Sequence, residues 1–483
     1  MTTTPIHPKL YELTLEAAKA ARIVAAEFIA SGKHYSRRDV TKFEKNEHGW
    51  STTTSAGFFS STRRDSPPNW DYMFGREQGV FSAISIGGIP AFEHAVAEVR
   101  RMALEDADFE QGISILSQSE ENLTKRGEQI EFEYIRFVSD VISRAEAIGA
   151  STDSDLREIY LALERARFAK VLHGDLVVPL ALTPFEFDGV FEVAPGVLIE
   201  PLTEEIQCAR APSISNSGKV SAFVIAAATH AVVVKDVSIP NASWRDRRFR
   251  QQSLDMSKVD FVVQCLYIAS GHETGYAQVL IRPTDWADDW QHDLPALFEA
   301  GTHHRYPDGF DNGRWNTPQD PIENVHIDKL PRLYSTLQTS PANIHLAARR
   351  AIRSVERLDD EDRTIDATIG IEALLLGNND KEEITHRMSQ RAATALADSG
   401  WQPEAIVELL KKVYAHRSAI VHGRTKRKET IVFGKETYLA QDIAQWLLRL
   451  LLESYLMSDT PWTPESLDST LLRALTRPTE PIK

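Results

Sequence analysis

The residues best suited to chemistry gather near the C-terminus, in the stretch VYAHRSAIVHGRTKRKET at residues 413–430. Arg417 and His422 are followed directly by Gly423, and then by the basic residues Arg424, Lys426, Arg427 and Lys428. The step from Arg417 to His422 turns an ideal helix so that the two side chains lie about 140° apart, on different faces. They can converge only where the helix ends, or where two copies of the chain meet. Gly423 favours the first condition, because glycine is the usual residue just past a helix C-terminus. His422 then lies among unsatisfied carbonyls at the negative end of the helix dipole, which complements an imidazolium suited to acid–base work. An arginine nearby offers forked donors matched to a phosphoryl group. The basic run beyond would attract a polyanion. A plainer role remains open: a cation and a histidine in a last helical turn are ordinary complements to the dipole.

The rest of the chain bounds what such a site can serve. Its 483 residues suffice for several domains of roughly 150 residues each. A net charge of −15 and a pI near 5.5 argue against a broad basic surface for nucleic acid or anionic membrane. They leave room for one small basic site. Cys208 and Cys265 are the only cysteines, too few for a disulfide framework or a four-cysteine zinc site, so a reducing cytoplasmic setting is expected. The opening MTTTPIHPKLYELTL lacks the basic and apolar regions of a signal peptide. VSAFVIAAATHAVVV, residues 220–234, is too short to span a membrane and carries Thr229 and His230; it reads as a buried strand or core segment. No P-loop, GxGxxG or GxSxG pattern occurs, and no cofactor is expected.

Three regions of an α+β multidomain chain must position these residues. Residues 1–173 are mostly helical in pattern, with PKLYELTLEAAKAARIVAAEFI and LTKRGEQIEFEYIRFVSDVISRAEAI at helical spacing. The polar stretch at residues 31–72 reads as loop. Residues 174–330 are β-rich or mixed and suit a sensor or regulatory domain. GVFEVAPGVLIEPL predicts two strands around a Pro-Gly turn, and GYAQVLIRP predicts another. VDFVVQCLYIAS fits strand or helix equally, SGHETGY reads as a turn between strands, and residues 283–321 as a structured surface excursion. Residues 331–483 return to helix as a bundle of short-linked helices. RTIDATIGIEALLLG is apolar over most of its circumference with Gly377 as its C-cap, and PEAIVELLKKVYAHRSAIVH begins at Pro403 and ends at Gly423.

In that setting YAHRSAIVHG resembles the signature of HEPN domains, in which an arginine is followed four to six residues later by a histidine. IDATIGIEALLLG and EITHRMSQRAATALA, two helices and one helix upstream, resemble the Apea-type group of that family. The resemblance spans about residues 340–460, under a third of the chain. It implies an all-α bundle and a metal-independent endoribonuclease in which two bundles pair and both Arg-His sets meet. His422 would act as general acid or base on the RNA 2′-hydroxyl or the leaving oxygen. Arg417 would stabilise the charged transition state, Ser418 would orient His422 or a phosphate oxygen, and 2′,3′-cyclic phosphate ends would result. Ser418 departs from the family pattern, where Asn, Asp or His is commoner. Arg424, Lys426, Arg427 and Lys428 would form the RNA-facing margin.

The implied partners are RNA, tRNA among the candidates, a second copy of the chain, and a phage-derived or protein trigger sensed by residues 1–330. Chains resembling this arrangement are bacterial antiviral defence or toxin effectors. The alternative is a non-catalytic HEPN module for dimerisation or for nucleotide or RNA binding in a larger assembly. Glu372, inside IGIEALLLG, would need a partner if buried, and Arg391 and Arg417 are both candidates; a surface position at the bundle edge is equally open. Arg387 and Arg391 share a helix face that reads as solvated. His303, His304, Asp308 and Asp311 lack the spacing of a known metal motif, so no metal is expected.

Overall fold

The computed structural model describes residues 4–38, 41–55, 66–79, 82–114, 123–214, 220–241, 254–284, 286–287, 298–377, 383–423 and 429–475. The class is α+β, with a central sheet and helices toward both ends.

The N-terminal helices are α1 (Pro8–Ala30), α2 (Pro90–Glu105), α3 (Ala107–Ile113), α4 (Leu123–Ala147) and α5 (Asp153–Phe168). Their apolar stripes meet in one core around Leu10, Phe92, Val99, Tyr134, Phe137 and Tyr160. Glu164, buried on α5, accepts the backbone N–H groups of Ile6 and His7 at 2.8 Å each and the Tyr160 hydroxyl at 2.8 Å. That carboxylate ties the entry of α1 to α5, where a lone buried charge would be costly. Between α1 and α2 lie the hairpin β1 (Thr41–Lys45) and β2 (Ser51–Ser55), and the short parallel pair β3 (Phe74–Gly75) and β4 (Ile84–Ser85). The stretch expected as loop therefore holds a hairpin.

The middle of the chain contains β5 (Val171–Pro179), β6 (Phe191–Ala194), β7 (Val197–Pro201), α6 (Glu204–Ile214), α7 (Ala222–Ala226), β8 (His230–Pro240), α8 (Ser257–Ser270), β9 (Tyr276–Pro283) and β10 (Phe298–Arg305). The strands form one antiparallel sheet in the order β10-β9-β5-β8-β7-β6. Side-chain alternation sorts the faces. Leu176, Val178, Val232, Val234, Val279 and Ile281 belong to the core shared with α8 and the C-terminal helices. Val177, Val233 and Leu280 pack on the other face with Ile206 and Ala209 of α6.

On that second face Lys235 and Arg282 alternate with Asp175 and Glu200, the four contacts spanning 2.9–3.4 Å. Arg210 of α6 is fully buried and donates to Gln207, Gln278 and the carbonyls of Ile225 and Ala226. Burial pushes its guanidinium down to about 9. Gln207 also donates to the Ser51 hydroxyl and the Ala228 carbonyl at 2.8 Å each, which docks β2 against the sheet.

The ambiguous VDFVVQCLYIAS is α8. It is buried around nearly its whole circumference, so no polar face marked its period. SGHETGY consequently joins a helix to a strand rather than two strands. The expected excursion contains β10, the edge strand of the sheet; residues 285 and 288–297 of that stretch lie outside the described residues.

The C-terminal helices are α9 (Asn324–Ile327), α10 (Leu330–Thr339), α11 (Ala342–Glu356), α12 (Asp360–Leu375), α13 (Ile384–Ala395), α14 (Pro403–Val421), α15 (Ala440–Met457) and α16 (Pro464–Leu475). The hairpin β11 (Thr430–Phe433) and β12 (Glu436–Leu439) separates α14 from α15. Leu447, Leu448, Leu451 and Leu452 of α15 are wholly buried, and α12 and α14 both pack on this helix. Since α8 touches the sheet on one side and α10 on the other, one apolar core runs from Leu172 to Leu467. α12 ends on an extended Leu376, and Gly377 is not the left-handed cap expected from sequence. Among the described residues no helix is long and apolar enough to cross a membrane.

Candidate functional site

The Arg417/His422 segment is built on α14. Pro403 occupies its first turn, where the missing N–H costs nothing. Ile406, Leu409, Leu410, Val413, His416 and Ile420 form the buried stripe that fixes the rotation of the helix. Arg417 and Ser418 fall at the margin of that stripe, and His422 is exposed. His422 is the capping residue, with φ −91° and ψ 8°. Its N–H donates to the Ser418 carbonyl at 3.1 Å, and the Gly423 N–H donates to the Ile420 carbonyl at 2.9 Å. Gly423 takes φ +62°, a conformation that suits glycine far better than a residue with a Cβ. The sequence reading of where this helix stops, and why, matches the geometry.

Across from Arg417 stands Glu372 of α12. Arg417 Nη2 is 3.5 Å from Glu372 Oε1, and the guanidinium lies 5.5 Å from the centre of the Tyr414 ring. The Tyr414 hydroxyl lies near enough to the Glu372 carboxylate to feel its charge. Burial pushes that hydroxyl's pKa up, the Glu372 charge adds to the rise, and Arg417 opposes it. One carboxylate thus gathers two residues of α14 that share a face by their three-residue spacing. Arg417 Nε is buried with no hydrogen-bond partner among the described residues. That nitrogen is enclosed, but the side chain as a whole is 26% exposed, so the guanidinium is held at one corner while its outward part keeps donor capacity for an anion.

Of the two arginines expected as partners of Glu372, Arg417 is the one in contact. Arg391 is only 4% exposed, and gives a forked pair of bonds to Asp468 at 2.9 and 2.7 Å and a third to the Leu375 carbonyl at 2.7 Å. It links α13 to α16 and to the end of α12. Arg387 is exposed, so the two arginines do not make the solvated face that their spacing suggested. Among the described residues no hydrogen bond or ion pair reaches the His422 imidazole or the Ser418 hydroxyl. A single chain leaves Arg417 and His422 without mutual contact. Arg424, Lys426, Arg427 and Lys428 lie outside the described residues.

Tyr414 was not singled out in the sequence, although its place three residues before Arg417 was a readable signal. His304 sits between Asp308 at 3.6 Å and Asp311 at 3.3 Å. Among the described residues no group of three His, Cys, Asp or Glu side chains is placed to hold a metal ion. No protein-family model, curated protein or solved structure matches the chain.

Proposed function

We propose that this chain is a metal-independent endoribonuclease of HEPN type, acting as a dimer whose paired C-terminal bundles make a composite site. The observation that carries the reading is the state of the two residues on α14. Arg417 is anchored by Glu372 with donors to spare, while His422 stands exposed and unengaged among the described residues at the capped end of the same helix. Such a pair is poised for a substrate and a second protein surface. Val421 beside it, and Val432, Tyr438 and Leu439 on the following hairpin, are exposed apolar residues that a second copy would cover.

In the reaction an imidazole takes the proton of an RNA 2′-hydroxyl. The 2′-oxygen bonds to the adjacent phosphorus, and the bond from phosphorus to the 5′-oxygen breaks. An imidazolium returns a proton to that oxygen, leaving a 2′,3′-cyclic phosphate and a 5′-hydroxyl. Arg417 stabilises the charge gathered on the phosphorane-like transition state. Residues 1–330 act as the regulator, answering a phage-derived or protein trigger in a cytoplasmic defence or toxin effector. The net charge of −15 accords with a nuclease that does not collect RNA indiscriminately.

The test is cleavage of tRNA or total RNA in EDTA by wild type, Arg417→Ala and His422→Ala. Wild-type cleavage to cyclic phosphate ends, lost in both variants, is expected. An idle wild type under every trigger tried, with cell toxicity unchanged in the variants, would refute the reading and leave a non-catalytic dimerisation or RNA-binding module.

A further inference from the structure

The N-terminal helices and the sheet have separate apolar cores. The first runs from Leu10 to Leu163 and the second from Leu172 to Leu467, and they share no buried residue. Among the described residues none of α1–α5 packs extensively on the sheet or on a C-terminal helix. One attachment between the two parts is covalent, where α5 runs into β5 through Ala169 and Lys170. Asn241, just past the end of β8, closes that junction. Its side-chain amide donates to the carbonyls of Ala166 at 3.0 Å and Ala169 at 2.8 Å, and its backbone N–H donates to the Lys170 carbonyl at 2.9 Å.

Another attachment is the β1–β2 hairpin. Its flanks are pinned side by side on the N-terminal part: the Asn69 N–H donates to the Ser36 carbonyl and the Arg38 N–H to the Pro67 carbonyl, at 2.9 Å each, and Trp70 is buried in the first core. At the turn, Asn46 Oδ1 accepts the N–H groups of His48 and Trp50 at 3.0 and 2.9 Å, and Gly49 takes φ +81°. This turn delivers Trp50 to a third apolar cluster, with Leu182, Ile225, Tyr306 and Phe310. The indole is 3% exposed and its Nε1–H donates to the Thr317 carbonyl at 3.4 Å. Tyr306 directly follows β10, so the tryptophan reaches the far edge of the sheet. The strands themselves, TKFEK and STTTS, bring little apolar surface, and a two-stranded hairpin is marginal in water by itself. A desolvated tryptophan at such a contact carries most of its strength. The seat is also strained: Leu182 takes φ +49°, which leucine holds only where its surroundings force it.

We propose that the β1–β2 hairpin is a releasable strap with Trp50 as its latch. Seated, Trp50 couples the N-terminal helices to the sheet. Unseated, it lets α1–α5 pivot at Lys170, on the junction closed by Asn241, while both large cores stay folded. Contacts between parts of one chain with separate cores permit such motion. The strap gives the regulator in residues 1–330 a mechanical route from the N-terminal helices to β10, and in that respect rests on the proposed function. The experiment reads the strap without RNA, so the strap and the ribonuclease reading fail separately.

The experiment is hydrogen exchange of the full chain in rising, sub-denaturing urea, with X-ray scattering of the same samples. In wild type the hairpin amides should open at lower urea than those of α4 or α15. Trp50→Ala should speed hairpin exchange at least about tenfold, leave α4 and α15 as protected as before, and enlarge the radius of gyration. Trp50→Phe, which keeps a ring in the seat, should fall between the two. A wild-type hairpin that opens only together with α4 would overturn the proposal, and that measurement needs no variant to fold. So would hairpin exchange within about twofold of wild type in Trp50→Ala, protection of α4 lost along with the hairpin, or unchanged dimensions in solution.

Discussion

Replacing Glu372 by glutamine removes the charge that holds Arg417 while keeping a side chain of the same shape. The separation of 3.5 Å gives a gross attraction of roughly 5 kcal/mol at an effective dielectric near 20. The two side chains are 26% and 23% exposed, so water screens the pair and ordering both side chains offsets much of the rest. About 1 kcal/mol survives, at the upper edge of what partly exposed pairs contribute. Urea unfolding of wild type, Glu372→Gln, Arg417→Met and the double variant should return a coupling energy of that size. Glu372 acts as a positioning residue in this account, so Glu372→Gln should lower kcat for RNA cleavage by roughly ten- to a hundredfold with KM little changed. Arg417→Met should cost about a hundredfold or more. A coupling below ~0.3 kcal/mol, the usual additivity error, together with unaltered cleavage, would show that Glu372 does not position Arg417.

His230, buried at the start of β8 against Phe185 and Phe187, has its pKa pushed down to about 4 by burial. It stays neutral in the folded chain while the unfolded chain takes up a proton near 6.5, so stability is present above about pH 6.5 and is lost as pH falls toward 4. Roughly 3 kcal/mol should disappear across that window in urea titrations, and His230→Gln should flatten the slope; an equally steep slope in the variant would place the titration elsewhere. Gly275→Ala forces a Cβ into backbone that cannot swing aside, and should lower stability by about 2–3 kcal/mol. Gly309→Ala, which has open space around its Cβ, should change little, and equal melting temperatures for the two would contradict the close approach of β9 and β10.

What the sequence determined by itself was local. Pro403 and Gly423 delimit α14 because each acts on its own backbone, through a fixed φ and a tolerated positive φ. The turn between β6 and β7 was readable for the same reason. From the bounded helix it followed that Arg417 and His422 cannot share a face. Tertiary structure decided everything that depends on distant pairing. α8 was ambiguous because burial on every side erases the polar face that reveals a period. β10 was invisible because an edge strand in a Pro-, Asp- and Gly-rich stretch is defined by hydrogen bonds to β9, not by its own composition. The hairpin β11–β12 lacked the alternation that a half-buried strand would show, since most of its side chains face solvent. Arg391 and Arg417 were equal candidates for Glu372 until the rotations of α13 and α14 were fixed. Each rotation is set by an apolar stripe packing on other helices, and that packing sent Arg391 to Asp468 and Arg417 to Glu372.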